Sequence, residues 1–251
     1  MKLYLVRHGA STGNTPGTLV GHSPHPLTEA GVAQARAVAA RLAPLGPMPV
    51  YCSDLVRAHQ TAEHIVRVWS SAAASHPDAA HSGALEVHDD PRLREIDMGI
   101  YDGRTWKDYL GDKELNAAMI ADPYHTTLPG GESLAQMKGR VLAAVDEIVS
   151  RHGDATATAK PWETGSVPVG ALGQGEAQGV ACLVAHDGPI RAILNHFLGV
   201  EPEKWWTLST THGGVSLLEW TSGWVNVRFV NGTSHLVSGR SQAGDARAAT
   251  L

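Results

Sequence analysis

Short apolar runs alternate with longer amphipathic stretches along most of this chain. Strand-like runs fall at about Lys2–Val6, Pro49–Cys52, Leu85–His88, Gly179–Ala185, Val215–Trp220 and Trp224–Val230. Apolar runs of this length bounded by turn residues read as buried strands. Between them, apolar residues recur at helical spacing. Thr28 is a good N-cap for a helix carrying Val32, Ala35, Val38, Ala39 and Leu42, and Pro44 and Gly46 end it. Ser53 or Asp54 caps a second helix that runs to about Trp69. Glu132 or Ser133 opens a third, with Leu134, Met137, Val141, Leu142, Val145 and Ile148 in phase. Gly188-Pro189 opens a fourth through Ile190, Ile193, Leu194 and Phe197, proline being tolerated in a first turn.

Strands alternating with helices predict an α/β fold, a three-layer sandwich with a mostly parallel central sheet and helices on both faces. The last two strands are separated by Ser222-Gly223 and predict an antiparallel hairpin at the sheet edge. One domain is expected over 1–237. Within it, 70–83 (Ala, Ser and His) and 153–178 (Ala, Gly, Thr and Pro) break the periodicity and read as loop insertions. The small, polar 238–251 stretch predicts a disordered tail.

Composition narrows the function classes. The chain has 251 residues, 43% hydrophobic and 18% charged, which fits a soluble globular protein. A net charge of −5 argues against nucleic acid or an anionic membrane surface as partner, so any cationic site is local. No apolar run approaches a membrane span, and Met1-Lys2 leads directly into a strand without a signal-peptide pattern. The cytoplasm is the expected location. Cys52 and Cys182 lie in strand-like runs and read as two buried, reduced thiols. Fourteen histidines invite a metal reading, but the pairs His22/His25 and His59/His64 lack a convincing set of accompanying ligands. No metal and no cofactor are therefore expected.

Chemistry concentrates in five islands. Leu3-Tyr4-Leu5-Val6 heads into Arg7-His8-Gly9, setting a phosphate-matching guanidinium beside a potential nucleophile. Gly21 opens a turn-rich loop, Gly21–Pro26, before the first helix. Ser53-Asp54-Leu55-Val56-Arg57 puts an arginine one turn into a helix, whose N-terminus already favours anions. Leu93-Arg94-Glu95-Ile96-Asp97-Met98-Gly99, followed by Asp102-Gly103, supplies carboxylates in a loop. Val184-Ala185-His186-Asp187-Gly188-Pro189 ends a strand on a second histidine. Arg7, His8, Arg57 and His186 all fall at or just after strand ends, and in a parallel sheet those ends share one edge, where ligands bind.

In this order the islands resemble the histidine phosphatase superfamily, the phosphoglycerate-mutase-like fold. The resemblance runs from about residue 2 to 236, where Asn231-Gly232-Thr233-Ser234-His235-Leu236 is similar to a closing motif of the phosphatase branch. It implies that His8 attacks phosphorus and becomes a phosphohistidine, with Glu95 as general acid and then general base. Arg7, Arg57 and His186 would hold the phosphoryl oxygens and Asn14 would add a neutral donor. Gly21 and Asp187 would join the phosphate-binding set. Ala10 and Pro24 depart from the family pattern, which carries Glu or Gln and often Asp at those places. His22 and His25 read as exposed loop residues, either of which could touch substrate. A cap over the pocket is expected from about Tyr109–Glu132.

Asp102-Gly103 and His186-Asp187-Gly188-Pro189 look like the phosphatase branch, where mutases tend to carry Gly-Asn after the histidine. The reading is a metal-independent phosphomonoesterase acting on a small phosphorylated metabolite. The alternatives are a phosphoglycerate mutase-type transfer and a non-catalytic phospho-ligand binding module. The edge hairpin suggests a homodimer, and Trp205-Trp206 reads as a short helix packing on that hairpin.

Overall fold

A computed structural model describes residues 1–74, 86–153, 179–221 and 224–236. The expected tail, the Ser222-Gly223 turn and most of the two expected insertions lie outside the described residues. Six strands form one sheet: β1 Lys2–Arg7, β2 Val50–Cys52, β3 Val87–Asp89, β4 Val180–Ala185, β5 Val215–Thr221 and β6 Trp224–Gly232. Their order is β3-β2-β4-β1-β5-β6. The first four in that order run parallel, and β5 and β6 are antiparallel additions at one edge. Among the described residues, six α-helices accompany them: α1 Glu29–Leu42, α2 Val56–Ala74, α3 Trp106–Gly111, α4 Lys113–Ala121, α5 Leu134–His152 and α6 Asp187–Phe197.

Alternation along the central strands assigns the two faces. Leu3 and Leu5 of β1 and Ala181, Leu183 and Ala185 of β4 pack with α5 (Met137, Val141, Val145) and α6 (Ile190, Ile193, Leu194). Val6, Cys182 and Val184 point the other way, onto α1 (Val38, Leu42) and α2 (Ala58, Ala62, Ile65, Trp69). Strands buried on both faces read as continuous apolar runs, which is why they stood out in the sequence. Trp205 and Trp220 of β5 both belong to the first cluster, whereas Trp206 is exposed. Among the described residues, no helix is long and apolar enough to cross a membrane.

The helix starts follow side-chain capping. Thr28 accepts from the Gly31 amide, and Ser133 forms a capping box with Gln136. Three boundaries differ from expectation. Helix α2 runs past Trp69 to Ala74, so the stretch read as an insertion from Ser70 begins as helix; alanine-rich sequence continues a helix at little cost. Strand β3 starts at Val87 and ends at Asp89. Helix α6 starts at Asp187, with His186 in extended conformation at its N-cap. Helix α4 and the end of α3 fall within Tyr109–Glu132, the region expected to form the cap. They share a small apolar cluster, Leu19, Met98, Tyr101, Tyr109, Leu115 and Leu128, with the loop that follows β1.

Candidate active site

Parallel pairing delivers the strand ends to one place. Arg7 lies opposite Ala185, and Cys52 opposite Val184. The His8 amide bonds the Ala185 carbonyl at 2.9 Å, and the Ser53 amide bonds the Val184 carbonyl at 3.0 Å. Arg7, His8, Ser53 and His186 thus line one sheet edge, with Arg57 rising from the first turn of α2.

His8 is 2% exposed. Its Nδ1 lies 2.6 Å from the Gly9 carbonyl oxygen. A carbonyl only accepts, so Nδ1 carries the proton and Nε2 carries the lone pair. Its ring centroid is 4.9 Å from that of His186 and 5.3 Å from that of His212. Burial, then the charges of Arg57 and Arg7, hold His8 well below the ordinary histidine range. The ring is therefore neutral.

His186 is fully buried and its Nε2 lies 2.8 Å from Ser53 Oγ. That oxygen also accepts from the Leu55 amide. His186 Nδ1 is buried without a partner, as are Nε of Arg7 and Nε of Arg57. Arg57, 1% exposed, donates to the carbonyls of Gly21 at 2.7 Å and Ser23 at 3.2 Å. The loop is in turn held by Asp102, which accepts from the Gly21 and Ser23 amides at 2.8 Å each. A Cβ at Gly21 would stand 2.9 Å from the Ile96 carbonyl oxygen and 3.0 Å from the Met98 nitrogen, so the loop fits only glycine there.

Glu95 follows a 3-10 turn, Pro91–Leu93. Its Oε1 accepts from the amides of Gly188 at 3.1 Å and Ile96 at 3.0 Å. Burial and the nearby Asp187 charge raise its pKa, and Arg57 and the two amides oppose that without cancelling it. Its backbone carbonyl accepts from His22 Nε2 at 2.8 Å and from Arg140 at 2.9 Å. His22 thus supports the Glu95 loop.

Asp187 sits 3.8 Å from Arg7. Its Oδ1 accepts from the Thr210 amide and hydroxyl at 3.1 and 2.8 Å, and its Oδ2 from Arg191 at 2.5 Å. An ionised carboxylate only accepts, and Asp187 is held below the ordinary carboxylate range, chiefly by Arg7 and Arg191 against burial. The expectation put Asp187 in the phosphate-binding set, and the structure sets it beside Arg7 of that set. Asn14 Oδ1 accepts from the Ser11 amide and hydroxyl at 2.8 Å each, leaving its amide NH2 as the donor group.

Sequence reasoning missed two residues here, Thr210 and His212. Arg7 donates to the Thr210 carbonyl and, at 3.0 Å, to His212 Nε2. Both precede β5, which runs antiparallel to β1 with Val215 opposite Val6. A strand running the other way begins at the edge where the parallel strands end, and that rule is the signal that would have found them.

Known proteins resemble this chain over most of its length. Residues 3–159 and 169–233 match the model of the histidine phosphatase superfamily, branch 1. A curated protein of Yersinia enterocolitica named "Probable phosphoglycerate mutase GpmB" is 28% identical over 243 residues, covering 94% of this chain and 95% of that one. The solved structure of Bacillus stearothermophilus YhfR superposes with a TM-score of 0.70 at 24% identity, covering 94% of this chain and 98% of the other. A mycobacterial glucosyl-3-phosphoglycerate phosphatase, solved with VO3, gives a TM-score of 0.65 at 25% identity, covering 92% and 98%.

Proposed function

The chain belongs to the histidine phosphatase superfamily, branch 1, and from that premise we propose that it is a metal-independent phosphomonoesterase of a small phosphorylated metabolite. The observation that carries the reading is the His8–Gly9 hydrogen bond, which leaves Nε2 as a neutral nucleophile among the arginines. In the first step, Nε2 attacks phosphorus as the bond to the ester oxygen breaks, and Glu95 protonates the leaving alcohol. In the second, Glu95 takes a proton from water, the oxygen attacks the phosphohistidine and inorganic phosphate departs. A carboxyl with raised pKa suits both steps.

Arg7, Arg57 and His186 supply the charge and donors for the equatorial oxygens, where phosphoryl transfer concentrates its charge. Three buried nitrogens without partners belong to these same three side chains, and a buried orphan donor is costly until something accepts from it. A tetrahedral oxyanion would satisfy them. Asn14 adds a neutral donor. Gly21 serves through its carbonyl, which anchors Arg57, and Asp187 serves by holding Arg7 rather than by touching phosphate.

A mutase reading has its own support in the curated relative named as a phosphoglycerate mutase. The phosphatase reading rests on His186-Asp187-Gly188-Pro189 and Asp102-Gly103, and on the mycobacterial phosphatase at 25% identity. The test is phosphate release from a panel of phosphomonoesters in chelator, wild type against His8→Ala. Release lost in the variant is the expected result. Interconversion of 3-phosphoglycerate without net release would replace this reading with the mutase one.

A further inference from the structure

On the sheet face opposite α5 and α6, one polar cluster takes no part in the proposed chemistry. Cys52 and Asp89 end the parallel strands β2 and β3 as register partners. His59 stands in the first turns of α2, seven residues after Cys52. The Cys52 Sγ to Asp89 Oδ1 distance is 3.1 Å, His59 Nδ1 to Asp89 Oδ1 is 2.7 Å, and Cys52 Sγ to His59 Nδ1 is 4.0 Å. Sulfur, nitrogen and oxygen donors from three backbone-fixed positions thus converge on one point.

We propose that Cys52, His59 and Asp89 form a site for a divalent metal ion of the zinc class, separate from the phosphoryl pocket and clamping edge strand β3 to β2 and α2. Tetrahedral zinc, with sulfur at about 2.3 Å and nitrogen or oxygen at about 2.0 Å, sets its ligands roughly 3.3–3.6 Å apart. The three measured separations straddle that range, so side-chain shifts of about half an ångström seat the ion. The donor set selects the metal: magnesium and calcium take oxygen ligands, whereas a thiolate with an imidazole suits zinc and its neighbours.

Charge balances as well. Thiolate and carboxylate carry two negative charges against the ion's two positive ones, which lets a fully buried sulfur ionise. Metal-ligating histidines usually give their other ring N–H to a carboxylate. His59 Nε2 has Glu63 Oε1 at 3.9 Å, one helical turn on. In the ion's absence, the Cys52 S–H and the His59 Nδ1–H donate to Asp89. On binding, the Cys52 thiol and His59 Nδ1 release their protons to solvent, and Nε2 takes one up from solvent and points it towards Glu63. Asp89 is exposed and His59 borders a shallow surface depression with Glu63, Val66 and Val87, so the site has a solvent side from which water can serve as fourth ligand.

The site borders the catalytic groups along the chain. Ser53, next to Cys52, holds His186, and the Asp90 amide bonds the Cys52 carbonyl at 2.8 Å at the start of the turn leading to Glu95. A bound ion therefore fastens both supports without entering the pocket.

The test is titration of chelator-stripped, full-length protein with Co²⁺, followed by absorption. One equivalent with a near-ultraviolet thiolate-to-cobalt charge-transfer band is expected. The band should persist in Cys182→Ala, vanish in Cys52→Ser and require at least about tenfold more cobalt in His59→Gln and Asp89→Asn. Circular dichroism checks each fold. His59 and Asp89 are not core residues, so those two variants decide the matter if Cys52→Ser fails to fold. No binding, binding without the thiolate band, or a band indifferent to Cys52, His59 and Asp89 would overturn the proposal. None of these outcomes depends on whether the protein hydrolyses phosphate esters.

Discussion

The Gly188 amide donates to the Glu95 carboxylate, with Oε1 at 3.1 Å and Oε2 at 3.3 Å. An ideal Cβ on residue 188 would lie 2.2 Å from Oε1 and 3.0 Å from Met137 Sδ. Glycine at this position is thus what lets the carboxylate reach the N-terminus of α6. Gly188→Ala must displace Glu95 or the helix start. We expect kcat to fall by about 10²–10⁴, the range for losing a general acid, with the far-ultraviolet spectrum retained. A variant with near wild-type kcat would remove Glu95 from the mechanism or show that its amide contact is dispensable.

Glu95 also sets the expected pH profile. On the proposed mechanism, the free enzyme needs His8 unprotonated and Glu95 protonated. The first condition fails only well below 6.5, because the His8 pKa is depressed by burial and by Arg57 and Arg7. The second fails as pH rises through a Glu95 pKa raised above 4.5. The kcat/KM profile is therefore a bell whose basic limb belongs to Glu95. Glu95→Gln should abolish that limb. It should slow alkyl phosphates far more than an aryl phosphate, whose leaving group needs little protonation. Equal slowing of both ester classes would assign the acid elsewhere.

The sequence was legible wherever one residue's neighbours decide its environment. Leu3, Leu5, Val6 and the β4 run announce doubly buried strands, and Arg7, His8 and His186 announce strand ends because they follow such runs directly. The partners of Asp187 were only half legible, since Arg191 follows one helical turn on whereas Thr210 lies 23 residues away. The Cys52–His59–Asp89 cluster was hidden for a similar reason. The expected strand stopped at His88, and only the β2–β3 register sets Asp89 beside Cys52. Pairing register between distant strands is a tertiary fact that local pattern does not contain.

His212 offers a test of positioning as distinct from chemistry. Arg7 donates to its Nε2 at 3.0 Å, so that nitrogen accepts and the ring stays neutral. Burial and Arg7 push its pKa down to about 3. His212→Ala removes an acceptor that aims the guanidinium, worth about 1.5–3 kcal/mol for a bond to a charged group. The expected result is a higher KM for phosphate esters with a smaller fall in kcat. His212→Asn, which restores an acceptor, should recover part of the loss. The acid limb of the bell should also shift upward in His212→Ala, since removing the neighbouring ring lessens the burial that chiefly depresses the His8 pKa. An unchanged KM and an unmoved acid limb would make His212 a bystander.

The same buried histidines make stability depend on pH in a definite direction. His8 and His186 are held well below 6.5 and His212 at about 3, in each case first by burial. As pH falls below about 6.5, the unfolded chain binds protons that the folded one refuses. Each such group then removes up to about 1.4 kcal/mol of stability per pH unit, until its folded pKa is reached. Glu95 acts in the opposite sense. Its raised pKa means that the folded state protonates first, so stability is regained as pH falls through that value towards 4.5. One carboxyl offsets part of the effect of three imidazoles, and the net expectation is a falling melting temperature from about pH 6.5 downward. Asp187 and Asp102, held below 3.8, add their own loss only at still lower pH. Thermal melts by circular dichroism in phosphate-free buffers between pH 7 and 4 check this. His212→Asn should flatten the slope by about one histidine's share. A melting temperature that stays level across that range would mean that the pocket opens to let its histidines protonate, and the neutral His8 on which the proposed nucleophile depends would lose its support.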